Sequence, residues 1–320
     1  MRYLVTGAAG FIGSHLSATL LERGHSVWGV DSFTDYYSRD AKEANLAYVG
    51  EASSFEFEER RVGSIDSSEL RDVDAVVHLA AQPGVRGSWD NFSIYLDENL
   101  AETNSLLDAT LSSGTRRVVM ASSSSVYGNS TAYPTSEGAL TSPRSPYGVT
   151  KRACEDLARA YAMDSTLEIL GLRFFTVYGP GQRPDMAIQR LLASALGKSD
   201  DIFKLFGSGE QVRDFTFVSD VVDACVRAAE CVVEPGFVPV NVGGSGEVSM
   251  NELLDLVENV TGNAPVVERM EAQRGDVMRT GASSALAEML MGWKPTVSIT
   301  EGLARQAAFV LDPSARTWRV

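Results

Sequence analysis

Val5-Thr6-Gly7-Ala8-Ala9-Gly10-Phe11-Ile12-Gly13 is the stretch that decides the fold. Before it, Tyr3-Leu4-Val5 reads as a short apolar strand; after it, Ile12, Leu16 and Leu20 recur at four-residue spacing, one face of a helix ending near Gly24. Glycines three apart between a strand and a helix each have a physical use. Gly7 permits the tight turn, Gly10 lets backbone approach a pyrophosphate, and Gly13 lets the helix lie close to the strand. Phe11 and Ile12 open the helix, whose N-terminal N–H groups and positive potential suit phosphate oxygens. The next strand, Ser26-Val27-Trp28-Gly29-Val30, is closed by Asp31, eighteen residues after Gly13. A carboxylate there accepts bonds from a ribose 2′-hydroxyl and repels a 2′-phosphate, which favours NAD over NADP. Asp66, a loop acid, is placed to meet the adenine amine.

Outward from this stretch, Asp74-Ala75-Val76-Val77-His78-Leu79, Arg117-Val118-Val119-Met120-Ala121 and Ile169-Leu170-Gly171-Leu172-Arg173 are further strands, with helical stretches such as Leu100 to Leu111 between them. Continuous apolar runs mark parallel strands covered on both faces. Their alternation with helices predicts an α/β fold, a Rossmann-type doubly wound parallel sheet. After about Thr176 the texture changes to short segments broken by Gly179-Pro180-Gly181, Gly207-Ser208-Gly209 and Gly243-Gly244-Ser245-Gly246. The expected organisation is a dinucleotide-binding domain over 1–175, also receiving part of 213–242. A smaller C-terminal substrate-binding domain occupies mainly 176–320.

At 320 residues, 44% of them hydrophobic, the chain can bury a large core. A net charge of −14 argues against nucleic acid or an anionic membrane as the main partner. It leaves room for a phosphorylated small molecule held by local arginines. Cys154, Cys225 and Cys231 have no paired spacing, there is no long apolar run, and no signal peptide is legible, so a cytoplasmic location is expected. His15, His25 and His78 lack metal-ligand spacing, so no metal is expected, and His78 reads as a core histidine.

Tyr147-Gly148-Val149-Thr150-Lys151 puts a phenol and an ammonium one helical turn apart. A free phenol, with a pKa of about 10, is a poor base at neutral pH, and a neighbouring cation stabilises its anion. Such a tyrosine can take a hydroxyl proton while hydride leaves the same carbon. Ser123, twenty-four residues upstream at the end of a strand, can bridge to the reacting oxygen.

With these residues in place, the sequence resembles the extended short-chain dehydrogenase/reductase family in its nucleotide-sugar epimerase/dehydratase branch. The landmarks are Gly7–Gly13, His78-Leu79-Ala80-Ala81-Gln82, Ser122-Ser123-Ser124-Ser125-Val126-Tyr127-Gly128, Tyr147–Lys151, Arg173–Pro180 and Arg213–Val218. Ala81-Gln82-Pro83-Gly84-Val85-Arg86 and Gln182-Arg183-Pro184-Asp185-Met186 look most like UDP-glucuronate and UDP-hexosamine 4-epimerases. The resemblance implies a tightly held NAD that is reduced and reoxidised within one turnover, with Leu79, Ala80, Ala81 and Asn99 around it. It implies Tyr147 as base toward the sugar 4-hydroxyl, Lys151 on the nicotinamide ribose, and Ser123 orienting the 4-oxygen. Arg213 and Arg274 would take the diphosphate of a UDP-sugar. Arg86, Thr176 and Arg183 would line the sugar pocket. A homodimer through Asn99–Ser112 and Lys151–Met163 is also implied.

Two departures bear on the reaction. Sugar 4,6-dehydratases of this family carry an acid and a base immediately after the catalytic hydroxyl residue, where this chain has Ser124 and Ser125. Epimerisation is therefore expected. The alternative is a UDP-N-acetylglucosamine dehydratase, by 4,6- or 5,6-elimination, drawing on Cys154, Glu137 or Tyr178. Near the C-terminus, Thr280-Gly281-Ala282-Ser283-Ser284-Ala285-Leu286-Ala287 lacks the acid and lysine of the family stretch. Thr280 falls where a large aromatic narrows the pocket of UDP-galactose 4-epimerases, so a bulky sugar substituent is expected to fit. A non-catalytic NAD-binding scaffold would have no need of Ser123, Tyr147 and Lys151 together.

Overall fold

The computed structural model describes residues 1–271 and 277–314. Chain order begins β1 (Arg2–Thr6), α1 (Phe11–Glu22), β2 (Ser26–Asp31), α2 (Arg39–Val49), β3 (Phe55–Glu59) and β4 (Ala75–His78). It continues α3 (Phe92–Tyr95), α4 (Glu102–Ser113), β5 (Arg117–Ser123), α5 (Pro146–Ala162), β6 (Glu168–Phe174), β7 (Thr176–Tyr178), α6 (Ala187–Ala195), β8 (Phe203–Phe206), β9 (Val212–Phe217) and α7 (Val218–Glu230). The remainder is β10 (Gly236–Val242), β11 (Glu247–Ser249), α8 (Met250–Thr261), β12 (Val267–Met270), α9 (Ala285–Met291) and α10 (Ile299–Leu311).

Seven strands form one parallel sheet in the order β10-β6-β5-β4-β1-β2-β3. The apolar runs are continuous because each strand feeds two cores. Tyr3, Val5, Val77, Val119, Leu170 and Leu172 face one layer, packed with α1 and α7 residues such as Leu16 and Val221. Leu4, Val76, Val118 and Ile169 face the other, with Leu106 and Leu107 of α4 and Ala158 of α5. The strand order reverses between β1 and β4, which opens a crevice at their carboxyl ends.

β3 and β10 are edge strands: the acidic run Glu56–Glu59, which reads as a solvated strand or loop, is strand, and β10 is a strand that periodicity does not reveal. β3 is the acidic Phe55–Glu59 edge, and β10 carries Pro239, tolerated because β10 pairs only with β6. Within 213–242 the chain divides: α7 and β10 join the large sheet, whereas β9 pairs with β7 and β11 in a separate three-stranded sheet. β8 and β12 form a parallel two-stranded ribbon, and α10 packs on α6 and α8. The stretch expected as one helix over Leu100 to Leu111 instead begins with a π-type turn at Leu96–Ala101 that runs into α4.

Candidate active site

At the crevice, the Gly7 N–H donates to the Val30 carbonyl at 2.7 Å, and Gly7 takes the left-handed conformation, φ 70°. A side chain at Gly13 would run into the Gly7 carbonyl oxygen, so α1 can start this close to β1 only with glycine there. Serine side chains cap α2, α5, α8 and α10. By contrast, α1 opens on Gly10 with no side-chain cap and no acid in its first turn. Its first N–H groups are left to an outside acceptor, the arrangement a pyrophosphate requires. The same cleft is lined by Gly7, Gly10, Phe11, Ile12, Gly13, Asp31, Lys42, Leu79, Ala80, Ala81, Ser123, Tyr147 and Lys151. These residues fit NAD.

Asp31 is buried and held in place. One oxygen accepts from the Ala9 N–H at 3.2 Å, and the other accepts from the Phe33 N–H at 2.9 Å and from Lys42 Nζ at 3.2 Å. Lys42 is itself buried and reaches the cleft from α2, a partner that nothing in the sequence around Asp31 announces. Asp66 does not line the cleft. It is exposed, its carboxylate accepts the Ser68 N–H at 2.8 Å, and its place is the turn that it closes. Asn99 does not line the cleft either. From the π-type turn it accepts the Gln82 N–H at 2.6 Å and donates to the Gln82 carbonyl at 3.1 Å and to Thr150 Oγ1 at 3.0 Å. It thus ties the loop after β4 to the residue preceding Lys151. His78 bridges Thr6 Oγ1 at 2.8 Å and Thr103 Oγ1 at 2.9 Å; burial, then the nearby Lys151, push its pKa down to about 3, so it is a neutral core group.

The chemical residues converge from two elements. β5 runs to Ser123, beyond the Ala121 expected, and delivers its hydroxyl at the strand end, where Ser123 Oγ accepts the Ser125 N–H at 3.1 Å. Pro146 starts α5, and Ser145 caps it by accepting the Gly148 N–H at 3.1 Å. Tyr147 and Lys151 therefore lie one turn apart on α5, and both line the cleft. Lys151 Nζ donates to the Ala121 carbonyl at 2.9 Å, which fixes the ammonium between β5 and α5. The Tyr147 ring meets Tyr95 edge to face at 6.3 Å.

A second pocket continues from the first and shares Ser124, Ser125, Thr176 and Arg183 with it. Arg86, Arg144, Arg183, Arg190, Lys204 and Arg213 line it against a single described carboxylate, Asp185. In a chain of net charge −14 this is a local inversion of sign suited to an anion. Arg86 stacks on the Phe206 ring at 4.3 Å, and Thr280 closes one wall, its Oγ1 accepting the Asp214 N–H at 3.2 Å. Arg274 lies outside the described residues. Sequence inspection does not find Tyr36, Lys42, Glu98, Arg144, Arg190 or Phe206, because they come from loops and helices with no motif of their own.

The three side chains considered as substitute acids or bases lie elsewhere. Cys154 is core, its Sγ 3.3 Å from the Asn99 carbonyl, with burial pushing the thiol pKa up. Glu137 Oε1 accepts the Asn241 N–H at 2.8 Å. Tyr178 is fully buried and donates to the Ser298 carbonyl at 3.3 Å. None of them lines either pocket. The described carboxylates that do are Asp31, Glu98 and Asp185, and Glu98 is paired with Arg61 at 3.0 Å.

Known proteins are similar to this chain in sequence and fold. YtcB of Bacillus subtilis strain 168, an uncharacterised UDP-glucose epimerase, is 38% identical over 97% of this chain and 98% of its own. The Bacillus cereus UDP-glucuronic acid 4-epimerase, solved with UDP-glucuronic acid and NAD, is 36% identical, superposes with a TM-score of 0.91, and is matched over 98% of this chain and 100% of its own. TunA, an NAD-dependent NDP-hexosamine 5,6-dehydratase of tunicamycin biosynthesis, is 32% identical with a TM-score of 0.85 over 96% and 97% of the two chains. Residues 3–243 match the NAD dependent epimerase/dehydratase family, and the chain belongs to that family.

Proposed function

We propose that the protein is a UDP-glucuronate 4-epimerase with a resident NAD. The strongest support is the continuity of the two pockets: Ser123, Tyr147 and Lys151 line the dinucleotide cleft, and Ser124 and Ser125, the next residues after Ser123, line both that cleft and the cationic pocket. NAD, when bound, supplies the hydride acceptor and donor for the sugar C4. Tyr147 removes the 4-hydroxyl proton and returns it after the 4-keto sugar has turned over, so substrate and product are isomers. Lys151 holds positive charge beside the phenol, and Ser123 steadies the 4-oxygen by hydrogen bonding. The phosphates fall to Arg213 and its cationic neighbours.

Arg183 is the cation common to both pockets. Among the described residues it is the candidate to meet a carboxylate on the sugar ring, which favours glucuronate over glucose. Elimination would need a base for the C5 proton. Ser124 and Ser125 are hydroxyls, and every described carboxylate in the pockets is already tied to a cation. Residues 176–320 would supply most of the sugar-nucleotide contacts. The exposed Leu111 on α4 and Met163 at the end of α5 support a homodimer through those helices. Three free thiols suit the cytoplasm.

The test is mass spectrometry of products from UDP-glucuronate, UDP-glucose and UDP-N-acetylglucosamine in deuterated water, without added cofactor. An isomer of UDP-glucuronate at unchanged mass, free of solvent deuterium, is expected. Loss of one water from any of the three would establish a dehydratase instead.

A further inference from the structure

The Arg183 guanidinium does not stand alone in the sugar pocket. Its Nε donates to one oxygen of Asp185 at 2.9 Å and its Nη2 to the other at 3.0 Å. Both Asp185 oxygens are engaged, and the second also accepts the Tyr36 hydroxyl at 3.1 Å. The guanidinium lies over the Tyr36 ring, 5.3 Å from its centre. Two parallel bonds and a ring fix the plane of the fork; Nη2 also donates to Met186 Sδ at 3.3 Å, and Nη1 is the nitrogen that these bonds do not engage.

Tyr36 comes from the loop that leaves Asp31, on the dinucleotide side, and it lines both pockets. Its hydroxyl rests on Gly84, where an added side chain would strike it, and Gly84 in turn is held by the Tyr95 hydroxyl, 3.0 Å from the Gly84 carbonyl. Three loops, after β2, β4 and β7, thus meet at one hydroxyl above the Gly-loop crevice.

We propose that Tyr36 and Asp185 are positioning residues for the sugar's anionic group: they hold Arg183 in the one orientation that presents Nη1 to a carboxylate on the substrate ring. This rests on the assignment of Arg183 to that carboxylate. The protonation states at neutral pH agree with it. Burial, then the Asp185 charge, push the Tyr36 phenol up to about 12, so it remains a donor. Burial acts to raise Asp185, but the bonds from Arg183 and Tyr36 outweigh it and hold the carboxyl below the usual range, so it remains an acceptor. A residue that merely braced the fold would affect every ligand of the pocket alike. One that aims Arg183 affects only ligands carrying the carboxylate.

The experiment measures dissociation constants of UDP-glucuronate and UDP-glucose on NAD-loaded protein by titration calorimetry, for wild type, Tyr36→Phe, Asp185→Asn, Asp185→Glu, Arg183→Gln and the double variant Tyr36→Phe/Arg183→Gln. The expected preference for UDP-glucuronate falls about five- to tenfold in Tyr36→Phe and Asp185→Asn, since each removes a charge-assisted bond. Asp185→Glu recovers part of it, and the double variant matches Arg183→Gln alone. An unchanged preference in both Tyr36→Phe and Asp185→Asn, beside a lowered one in Arg183→Gln, overturns the positioning role and leaves the carboxylate assignment standing. An unchanged preference in Arg183→Gln overturns both.

Discussion

The dinucleotide crevice and the sugar pocket adjoin each other but are built in opposite ways. The crevice is made at the carboxyl ends of four strands: Gly7–Gly13 after β1, Asp31 ending β2, Leu79–Ala81 after β4 and Ser123 ending β5. Backbone and short side chains do the work there, and each piece is local in sequence. The sugar pocket gathers single long side chains from distant places, Arg86, Arg144, Arg190, Lys204 and Arg213 among them. The first is preorganised by the sheet. The second depends on side-chain partnerships such as Arg183 with Asp185, which makes it the part where specificity can change without disturbing the fold.

The largest effects should come from the dinucleotide cleft. Tyr147→Phe removes the base and should lower kcat by about 10²–10⁴-fold while NAD content of the purified protein stays near stoichiometric. Retained turnover would remove Tyr147 from the chemistry. Gly13→Ala should abolish NAD retention, because the new methyl group meets backbone and not a movable side chain; absorbance of released cofactor reads this directly, and normal loading would contradict it.

The frame behind both regions is the buried Arg173–Glu155 pair, bonded at 2.7 and 2.8 Å with Ser122 Oγ at 2.6 Å from the same carboxylate. The side chains are 4% and 0% exposed, so neutralising one strands the other's charge. Glu155→Gln should destabilise the protein by about 3–5 kcal/mol in urea unfolding, with both ligands weakened together and their ratio kept.

Asp214 lies between Arg213 and Phe215, which line the sugar pocket. One of its oxygens accepts the Gly244 and Ala282 N–H groups, each at 2.8 Å, beside the strap that carries Thr280. Burial raises its pKa to about 6, above the ordinary carboxylate value. A raised acid binds more protons folded than unfolded, so its contribution is full below about pH 4 and is lost as pH climbs through about 6. Asp214→Asn should flatten that part of the Tm–pH curve; an unaltered curve would show that Asp214 does not titrate there. The smallest effect belongs to Asp66→Asn, which should leave NAD affinity within about twofold by calorimetry, since the carboxylate is exposed and its Oδ1 already accepts the Ser68 N–H.

Legibility follows the same division. The Gly-loop, Asp31, Ser123, Tyr147 and Lys151 can be read because turn chemistry and helical spacing tie residue type to position, and the structure brings all of them to one cleft. Asp66 is less legible because an exposed loop acid carries no sign of which N–H it will meet; here it meets that of Ser68. Asn99, on the π-type turn, bonds Gln82 and Thr150, contacts that its sequence position does not announce. Lys42, Tyr36 and the pocket arginines are invisible beforehand, since their meeting depends on tertiary placement and not on spacing. The β10 strand is hidden by its edge position, where a proline is tolerated.

The central claim is that hydride leaves the sugar C4 and returns to it within one site. UDP-glucuronate carrying deuterium at C4, converted in ordinary water without added cofactor, tests it most directly. Retention of the deuterium at C4 of an isomeric product is the expected result. Loss of the label to solvent, or a product lighter by one water, would contradict it.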